Sequence, residues 1–327
     1  MEASLVSRAG IPFEAIPAAG LHGVGLTSLP GNAVRLLQGW RQARALLRRF
    51  QPDVLFFTGG YVGVPVALAG RNIPSVMYVP DIEPALALTW IGRTVDIVAV
   101  TATETKAYFP QGKRVDMTGY PVRQELEQVD RASSKRHFQL EDGLPTLLVF
   151  GGSRGARSIN EAVWSSLETL LDRMQIVHIT GRLDWPRVED VQTALPQQVV
   201  RRYHAYPYLH EEMAMAFAAA DLALSRAGAA TMGEYPHFGL PSVLVPYPHA
   251  WRYQKVNADF LASRGAAVVL EDSAMATELV KVVSGIMNDE GRRTRMGAAA
   301  AALKTGQAAA RIAALIQEAG QEGGNRG

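Results

Sequence analysis

Two successive runs of strands alternating with helices predict an α/β chain made of two parallel-sheet domains. Short apolar runs recur at 53–57, 75–78, 97–100, 146–150, 175–179, 221–224 and 242–245, and each is flanked by a segment of helical spacing. Two of these runs lead directly into glycine-rich turns, T-G-G-Y-V-G at 58–63 and G-G-S-R-G-A at 151–156. Domains of this kind are Rossmann-like. Two of them would face each other across a cleft, with ligands at the carboxyl ends of the strands.

The elements follow in order. Val34, Leu37, Leu46 and Leu47 keep helical spacing over 32–50, and the helix stops before Pro52. Residues 53–57 form a buried strand, and a helix over 64–69 starts after the first glycine turn. A strand at 75–78, a helix at 85–91 and a strand at 97–100 complete this half. The pattern turns polar over 120–131, which reads as a crossover. The second half restarts with a strand at 146–150, the second glycine turn and a helix over 158–171. Strands at 175–179 and near 199–203, a helix at 211–219 and strands at 221–224 and 242–245 come next. The alanine-rich stretch 290–317 reads as helix, and 320–327 as a disordered end. The domains expected are 1–122, joined by a terminal helix at about 303–320, and 123–302.

Composition narrows the function. The chain has 327 residues, 48% hydrophobic and 20% charged, as in a globular protein with a large core. A net charge of +2 gives no basis for nucleic-acid binding. The absence of cysteine excludes disulfides, thiolate nucleophiles and Cys-ligated metal. The longest apolar run, 54–69, is interrupted by Gly59, Gly60, Gly63 and Pro65 and reads as strand, turn and helix, not a membrane span. No signal peptide is visible, so a cytoplasmic location is expected.

The most informative stretch is 225–257: S-R-A-G-A-A-T-M-G-E, then F-G-L-P-S-V-L-V-P-Y-P, then H-A-W-R-Y-Q-K-V-N. A strand ends in small residues that let a ligand approach the backbone, and free N–H groups at the next helix start attract phosphate. Glu234 can accept both hydroxyls of a ribose, and amide side chains beyond Pro248 can bond sugar hydroxyls. The turn at 151–156 follows a strand and opens a helix, the context a phosphate cradle requires. A purely structural strand–helix turn is the alternative, and the same pair of readings applies to 58–63. The spacing is not G-x-G-x-x-G, no acidic residue ends the next strand, and no Gly-Lys-Ser/Thr follows, so neither a nicotinamide site nor a Walker loop is expected.

On these residues the chain resembles the peptidoglycan N-acetylglucosaminyltransferases of glycosyltransferase family 28, which have the GT-B fold. The matching motifs are G-L-H-G at 20–23, W-R-Q-A-R-A at 40–45, P-D-V at 52–54, T-G-G-Y-V at 58–62, G-Y-P-V-R at 119–123, G-G-S-R-G-A-R at 151–157, S-R-A-G-A-A-T-M-G-E at 225–234 and Q-x-x-N at 254–257. The resemblance implies inverting, metal-independent transfer of N-acetylglucosamine from UDP to a polyprenyl-diphosphate-linked muramoyl peptide, at the cytoplasmic face of the membrane and without a cofactor. It implies that Arg123, Gly152 and Ser153 hold the diphosphate, that Ala229, Ala230 and Thr231 line it at the helix start, and that Glu234 binds the ribose. His210 would read uracil through its main chain, Gln254 would hold the sugar, Asn257 would brace a loop, and Gly59, Gly60 and Tyr61 would lie on the acceptor side.

Three departures accompany the resemblance. The family opens with a strand, a G-x-G-G-H loop and a helix, and the likeness here starts after them, roughly 30–40 residues on by the usual size of such units. That loop carries the family's histidine base, so Asp81, Glu83 and His22 stand as candidate bases, each with a turn or capping role as its alternative. As given, the chain is expected to bind the donor and transfer poorly. The family's H-E-Q-N stretch is Tyr78-Val79-Pro80-Asp81 here, and one of its paired glutamines is Tyr253. A different acceptor, a UDP-N-acetylglucosamine 2-epimerase and a non-catalytic sugar-nucleotide binder are the competing readings. For the membrane, Leu26, Leu29, Val34, Leu37 and Trp40 beside Arg35, Arg41, Arg44 and Arg48 form a candidate inner-leaflet patch. An ordinary amphipathic helix packed on the sheet is the alternative.

Overall fold

The computed structural model describes residues 6, 10–18, 29–152, 155–248 and 253–324, with the backbone alone for 29–33 and 323–324. The chain divides into two compact units, one of 1–79, 84–117 and 311–327, the other of 80–83 and 118–310.

In the first unit the elements run α1 (Leu29–Phe50), β1 (Leu55–Phe57), α2 (Gly63–Ala69), β2 (Ser75–Val79), α3 (Leu86–Gly92), β3 (Ile97–Val100) and β4 (Arg114–Met117). The four strands pair in parallel in the order β1-β2-β3-β4. One face of this sheet builds a core from Met77, Val79, Val98 and Val100 with Leu88 and Ile91 of α3. The sequence reading missed β4. Its residues Arg114, Val115, Asp116 and Met117 bury little beyond Val115, as suits an edge strand, so no apolar run marks it.

The second unit begins with α4 (Arg131–His137), β5 (Thr146–Phe150), α5 (Arg157–Ser165), α6 (Leu167–Leu171) and β6 (Gln175–Ile179). Then come α7 (Val188–Ala194), α8 (Gln197–Val200), β7 (Tyr203–Tyr206), α9 (Glu212–Ala219), β8 (Leu222–Ser225), α10 (Thr231–Phe238), β9 (Ser242–Leu244), α11 (Tyr253–Ser263), β10 (Ala267–Val269), α12 (Met275–Met287) and α13 (Glu290–Ala301). All six strands are parallel, in the order β10-β9-β8-β5-β6-β7. The chain winds outward from β5 through β6 to β7, then crosses to β8 on the other side of β5. That reversal leaves a crevice at the carboxyl ends of β5 and β8, where open α/β sheets bind ligands. The core is almost wholly aliphatic: Leu147 and Val149, with Leu222, Leu224 and Val243, pack against Ile159, Val163, Leu279 and Val283.

Several expected elements differ. The strand placed near 199–203 lies at Tyr203–Tyr206, and Pro196 instead opens the helical turn α8. The helix over 158–171 breaks at Ser166, whose backbone (φ −115, ψ 7) leaves helical geometry. The short edge strand β10 was not foreseen. The alanine-rich tail is two helices, because Thr305, Gly306 and Gln307 turn the chain, with Gln307 at φ 59. The second, α14 (Ala308–Gly324), is helical through Gly320, contrary to the disorder expected there. Its apolar stripe explains this: Ile312, Leu315, Ile316 and Ala319 cover Val76, Tyr78, Ile97 and Ala99 on the remaining face of the first sheet.

Leu148 is fully buried in the central strand β5. Leu148→Ala is expected to destabilise the second unit by about 2–5 kcal/mol, read as a lower urea midpoint for that unit. A shift below about 1 kcal/mol would mean the sheet relaxes around the loss.

Candidate functional site

Two turns meet at the crevice, and both are shaped by backbone contact. In the turn after β5, a Cβ on Gly151 would lie 2.2 Å from the Ala156 nitrogen, and one on Gly155 (φ 77) would lie 2.5 Å from the Thr180 carbonyl at the end of β6. Only glycine fits either position. Gly152 has φ 89 with open space around it, so its need for glycine is conformational. The turn leads into α5, whose N-cap Ala156 supplies no side-chain acceptor and leaves the helix start open toward the crevice. Ser153 lies outside the described residues.

The turn after β8 is built from small residues. Thr231 is buried, and its hydroxyl donates to the Gly228 carbonyl at 2.7 Å. It therefore shapes the turn, while the N–H groups of Gly228, Ala229 and Ala230 have no acceptor among the described residues. Glu234 follows one turn into α10 and is 15% exposed. Burial raises its carboxyl above the ordinary value, opposed by Arg123, whose guanidinium lies 3.6 Å away. Gly233, beside it, is covered by Tyr120: a Cβ there would meet the ring at 2.4 Å. Burial, with Glu234 and Asp81 nearby, pushes the Tyr120 hydroxyl up to about 12.

A cavity of 670 Å³ opens between the two turns, lined by Gly151, Gly155, Arg157, Ser158, Leu183, Asp184, Arg226, Tyr247 and Gln254. The Gln254 carboxamide oxygen accepts the Tyr247 N–H at 2.9 Å, and its NH₂ donors have no partner among the described residues. A second hollow of 230 Å³ is lined by Arg123, Glu125, Tyr208, His210 and Glu211. The His210 ring packs edge-on against Tyr208. The His210 backbone N–H donates to the Glu212 carboxylate at 3.1 Å.

The loop after β2 carries two base candidates. The Asp81 carboxylate accepts from the Asn257 Nδ2 at 2.7 Å, and burial raises its carboxyl above the ordinary value. Asn257 is fully buried. It also accepts the Ile82 N–H at 3.0 Å and donates to the Ala227 carbonyl at 3.2 Å, so it ties this loop to the turn after β8. Glu83 is buried. His22 lies outside the described residues. In the first unit, Gly59 and Gly60 take φ 129 and 80 in the turn between β1 and α2, and Tyr61 beside them is 51% exposed. Among the described residues no group of three or more His, Asp or Glu side chains gathers into a metal-binding cluster.

The sequence reading missed two sets of residues. Arg226, the one large side chain in the small-residue turn, is 10% exposed and lines the cavity. Asn160 and His178 form a wholly buried network behind the glycine turn. Asn160 donates to the Thr180 carbonyl and to Asp184, and its oxygen meets His178 Nε2 at 3.0 Å. His178 Nδ1 meets the Tyr203 hydroxyl, which also accepts from the Trp164 indole. Burial holds His178 neutral, down to about 3. The spacing of Asn160 and His178 carries no motif, and a polar residue in a helix reads as solvent-facing until its neighbours are known.

The family models for the glycosyltransferase family 28 C-terminal domain and N-terminal domain match residues 146–314 and 1–99. A UDP-N-acetylglucosamine–N-acetylmuramyl-(pentapeptide) pyrophosphoryl-undecaprenol N-acetylglucosamine transferase of Roseiflexus sp. (strain RS-1) is 40% identical, over 97% of this chain and 81% of that protein. A protein of the same name from Desulforudis audaxviator (strain MP104C) is 36% identical, over 99% of this chain and 88% of its own length. The crystal structure of Acinetobacter baumannii MurG superposes with a TM-score of 0.78 at 26% identity, covering 97% of this chain and 88% of that one. With its two parallel-sheet units and the paired turns at the switch point of the second, the chain belongs to glycosyltransferase family 28.

Proposed function

We propose that this chain transfers N-acetylglucosamine from UDP-N-acetylglucosamine to a lipid-linked muramoyl pentapeptide in peptidoglycan synthesis. The observation that carries the reading is the pairing, in a family 28 chain, of the open start of α5 and the free amides of the turn after β8 with a mostly buried carboxylate one helical turn away. The diphosphate sits against the free amides of Gly228, Ala229 and Ala230 and the open start of α5, with Gly152 in the turn that leads into α5. The ribose hydroxyls donate to Glu234, and Arg123 moves from the carboxylate toward the diphosphate. Uracil takes the hollow beside Tyr208 and His210, and the Gln254 amide holds the sugar. Fixed dipoles and Arg123 stabilise the negative charge that develops on departing UDP, so they act most strongly in the transition state.

Radiolabelled transfer to a short-chain lipid I analogue tests the reading. Acceptor-dependent UDP release is the expected result, and Glu234→Ala should lower kcat/KM for the donor roughly 10- to 100-fold, as loss of hydrogen bonds to a charged group does. Formation of UDP-N-acetylmannosamine without acceptor would replace the transferase with an epimerase. The pH profile adds a sign. Because burial raises the Glu234 carboxyl, its stabilising contribution is complete below the ordinary carboxylate value and is lost as pH rises through the raised one. UDP binding runs the other way, since the ribose needs an ionised acceptor, so affinity climbs through that same window. In Glu234→Gln this climb should vanish.

Asp81 is the reading for the acceptor base. Its raised carboxyl is a stronger base than an exposed one, and Asn257 fixes its orientation. Asp81→Asn should lower kcat by roughly 100-fold or more, in the range of general-base loss, with the Kd for UDP unchanged. A kcat within about twofold of wild type would remove Asp81 from the role.

The acceptor lipid brings the chain to a membrane surface, placed here at the cytoplasmic face. No described helix is long and apolar enough to cross a membrane. On α1, Val34 and Leu37 are 54% and 49% exposed beside the exposed Arg35, Arg41, Arg44 and Arg48. Such a helix face suits shallow insertion among anionic headgroups. Val34→Glu/Leu37→Glu should reduce co-sedimentation with anionic vesicles roughly tenfold or more, each buried side chain contributing about 1.5 kcal/mol. Unchanged sedimentation would remove the patch.

A further inference from the structure

The Arg226 guanidinium lines the cavity at the switch point, yet its Nη1 and Nη2 are engaged elsewhere. Nη1 meets the Asp272 Oδ2 at 2.5 Å and the Val245 and Pro246 carbonyls at 3.2 and 3.4 Å, and Nη2 donates to the Ser158 hydroxyl at 2.7 Å. Ser158 in turn donates to the same Asp272 oxygen at 2.9 Å, closing a triangle. The Tyr247 ring covers the guanidinium, its centroid 5.2 Å from the guanidinium carbon. Each group in this cluster belongs to a different wall. Ser158 is in the first turn of α5, Arg226 opens the turn after β8, and Val245–Tyr247 leave β9 toward Gln254. Asp272 stands between β10 and α12, well removed from all three in sequence.

We propose that Asp272 is a positioning residue for donor binding. Through the Arg226–Ser158 triangle it fixes the spacing between the turn after β5 and the turn after β8. This rests on the donor site proposed above. Asp272 does not line the cavity, and it acts through Arg226. An arginine tied to four acceptors from three separate segments keeps only Nε and part of Nη2 for a phosphate. It has full capacity to set where the amides of Gly228–Ala230 stand relative to α5. Displacement of such groups by an ångström costs up to about 100-fold in rate when geometry carries catalysis. Lysine would not replace Arg226, because a single ammonium cannot span Ser158, Asp272 and two carbonyls in fixed directions.

The test separates positioning from plain stabilisation. In Asp272→Asn the donor KM and the calorimetric Kd for UDP should both rise about tenfold, with the acceptor KM unchanged and Asp272→Glu recovering part of the loss. A lowered melting temperature with donor KM and UDP Kd within about twofold of wild type would show the triangle to be structural only and overturn the proposal. Ser158→Ala removes one corner without leaving a buried charge unpaired. It should raise the donor KM by about threefold or more, and an unchanged value overturns the proposal even if Asp272→Asn does not fold. Glu234→Ala is the control. If wild type binds no UDP, the donor reading and this proposal both fail. If wild type binds UDP, Glu234→Ala does not and Asp272→Asn still does, only the positioning role fails.

Discussion

The turn after β5 passes in direct backbone contact with the end of β6, and the second unit's site depends on that approach. A side-chain carbon on Gly155 would sit 2.5 Å from the Thr180 carbonyl, and one on Gly151 would sit 2.2 Å from a backbone nitrogen within the same turn. Real carbons do not come that close, so a larger residue at either position must push α5 outward. The start of α5 faces the turn after β8 only because the glycine turn folds this tightly. The open start of α5 is therefore a consequence of packing between neighbouring strand ends.

What keeps the approach in place is polar and buried. Thr180 receives the Asn160 amide, Asn160 also binds Asp184 and His178, and His178 binds Tyr203. A buried network of this kind stabilises only when all its members are satisfied. Here the imidazole stays neutral, since burial holds it near 3, so no charge is stranded among the aliphatic side chains of β5 and α5. Arg157, on the solvent side, pairs with Asp184 at 3.0 Å and closes the network at the cavity wall. On the opposite wall Asn257 plays a similar part, tying the loop at Asp81–Ile82 to the Ala227 carbonyl.

The parts of this architecture legible in the sequence were those written in local spacing. Interior strands appear as uninterrupted Val, Ile and Leu runs because both faces are covered, whereas β4, β7 and β10 are edge or three-residue strands with no such signal. The glycine turns and Glu234 were visible because the need for glycine, and for a carboxylate early in a helix, is a local need. Arg226 was inside the most informative stretch and was still passed over. Its meaning depends on Asp272 and Ser158, which no local pattern ties to it. The same holds for Asn160, whose partners come from β6 and the loop beyond it. Thr231 adds what the resemblance alone does not show: its hydroxyl donates to the Gly228 carbonyl and so shapes the turn.

The electrostatic design of the site follows from where its charges are unequal. Glu234 is mostly buried, and its one cationic neighbour among the described residues is a largely exposed Arg123 held at a long 3.6 Å. Such a pair satisfies the carboxylate poorly, which is why burial dominates and the acid is weakened. A ligand that brings two hydroxyl donors to Glu234 and a negative group to Arg123 gives each a stronger partner than the other provides. The site is thus held in mild electrostatic frustration, while the Asn160 and Arg226 clusters around it are tied together by hydrogen bonds and ion pairs. A rigid, satisfied scaffold beneath unsatisfied front-line groups is the arrangement that directs binding energy toward the ligand.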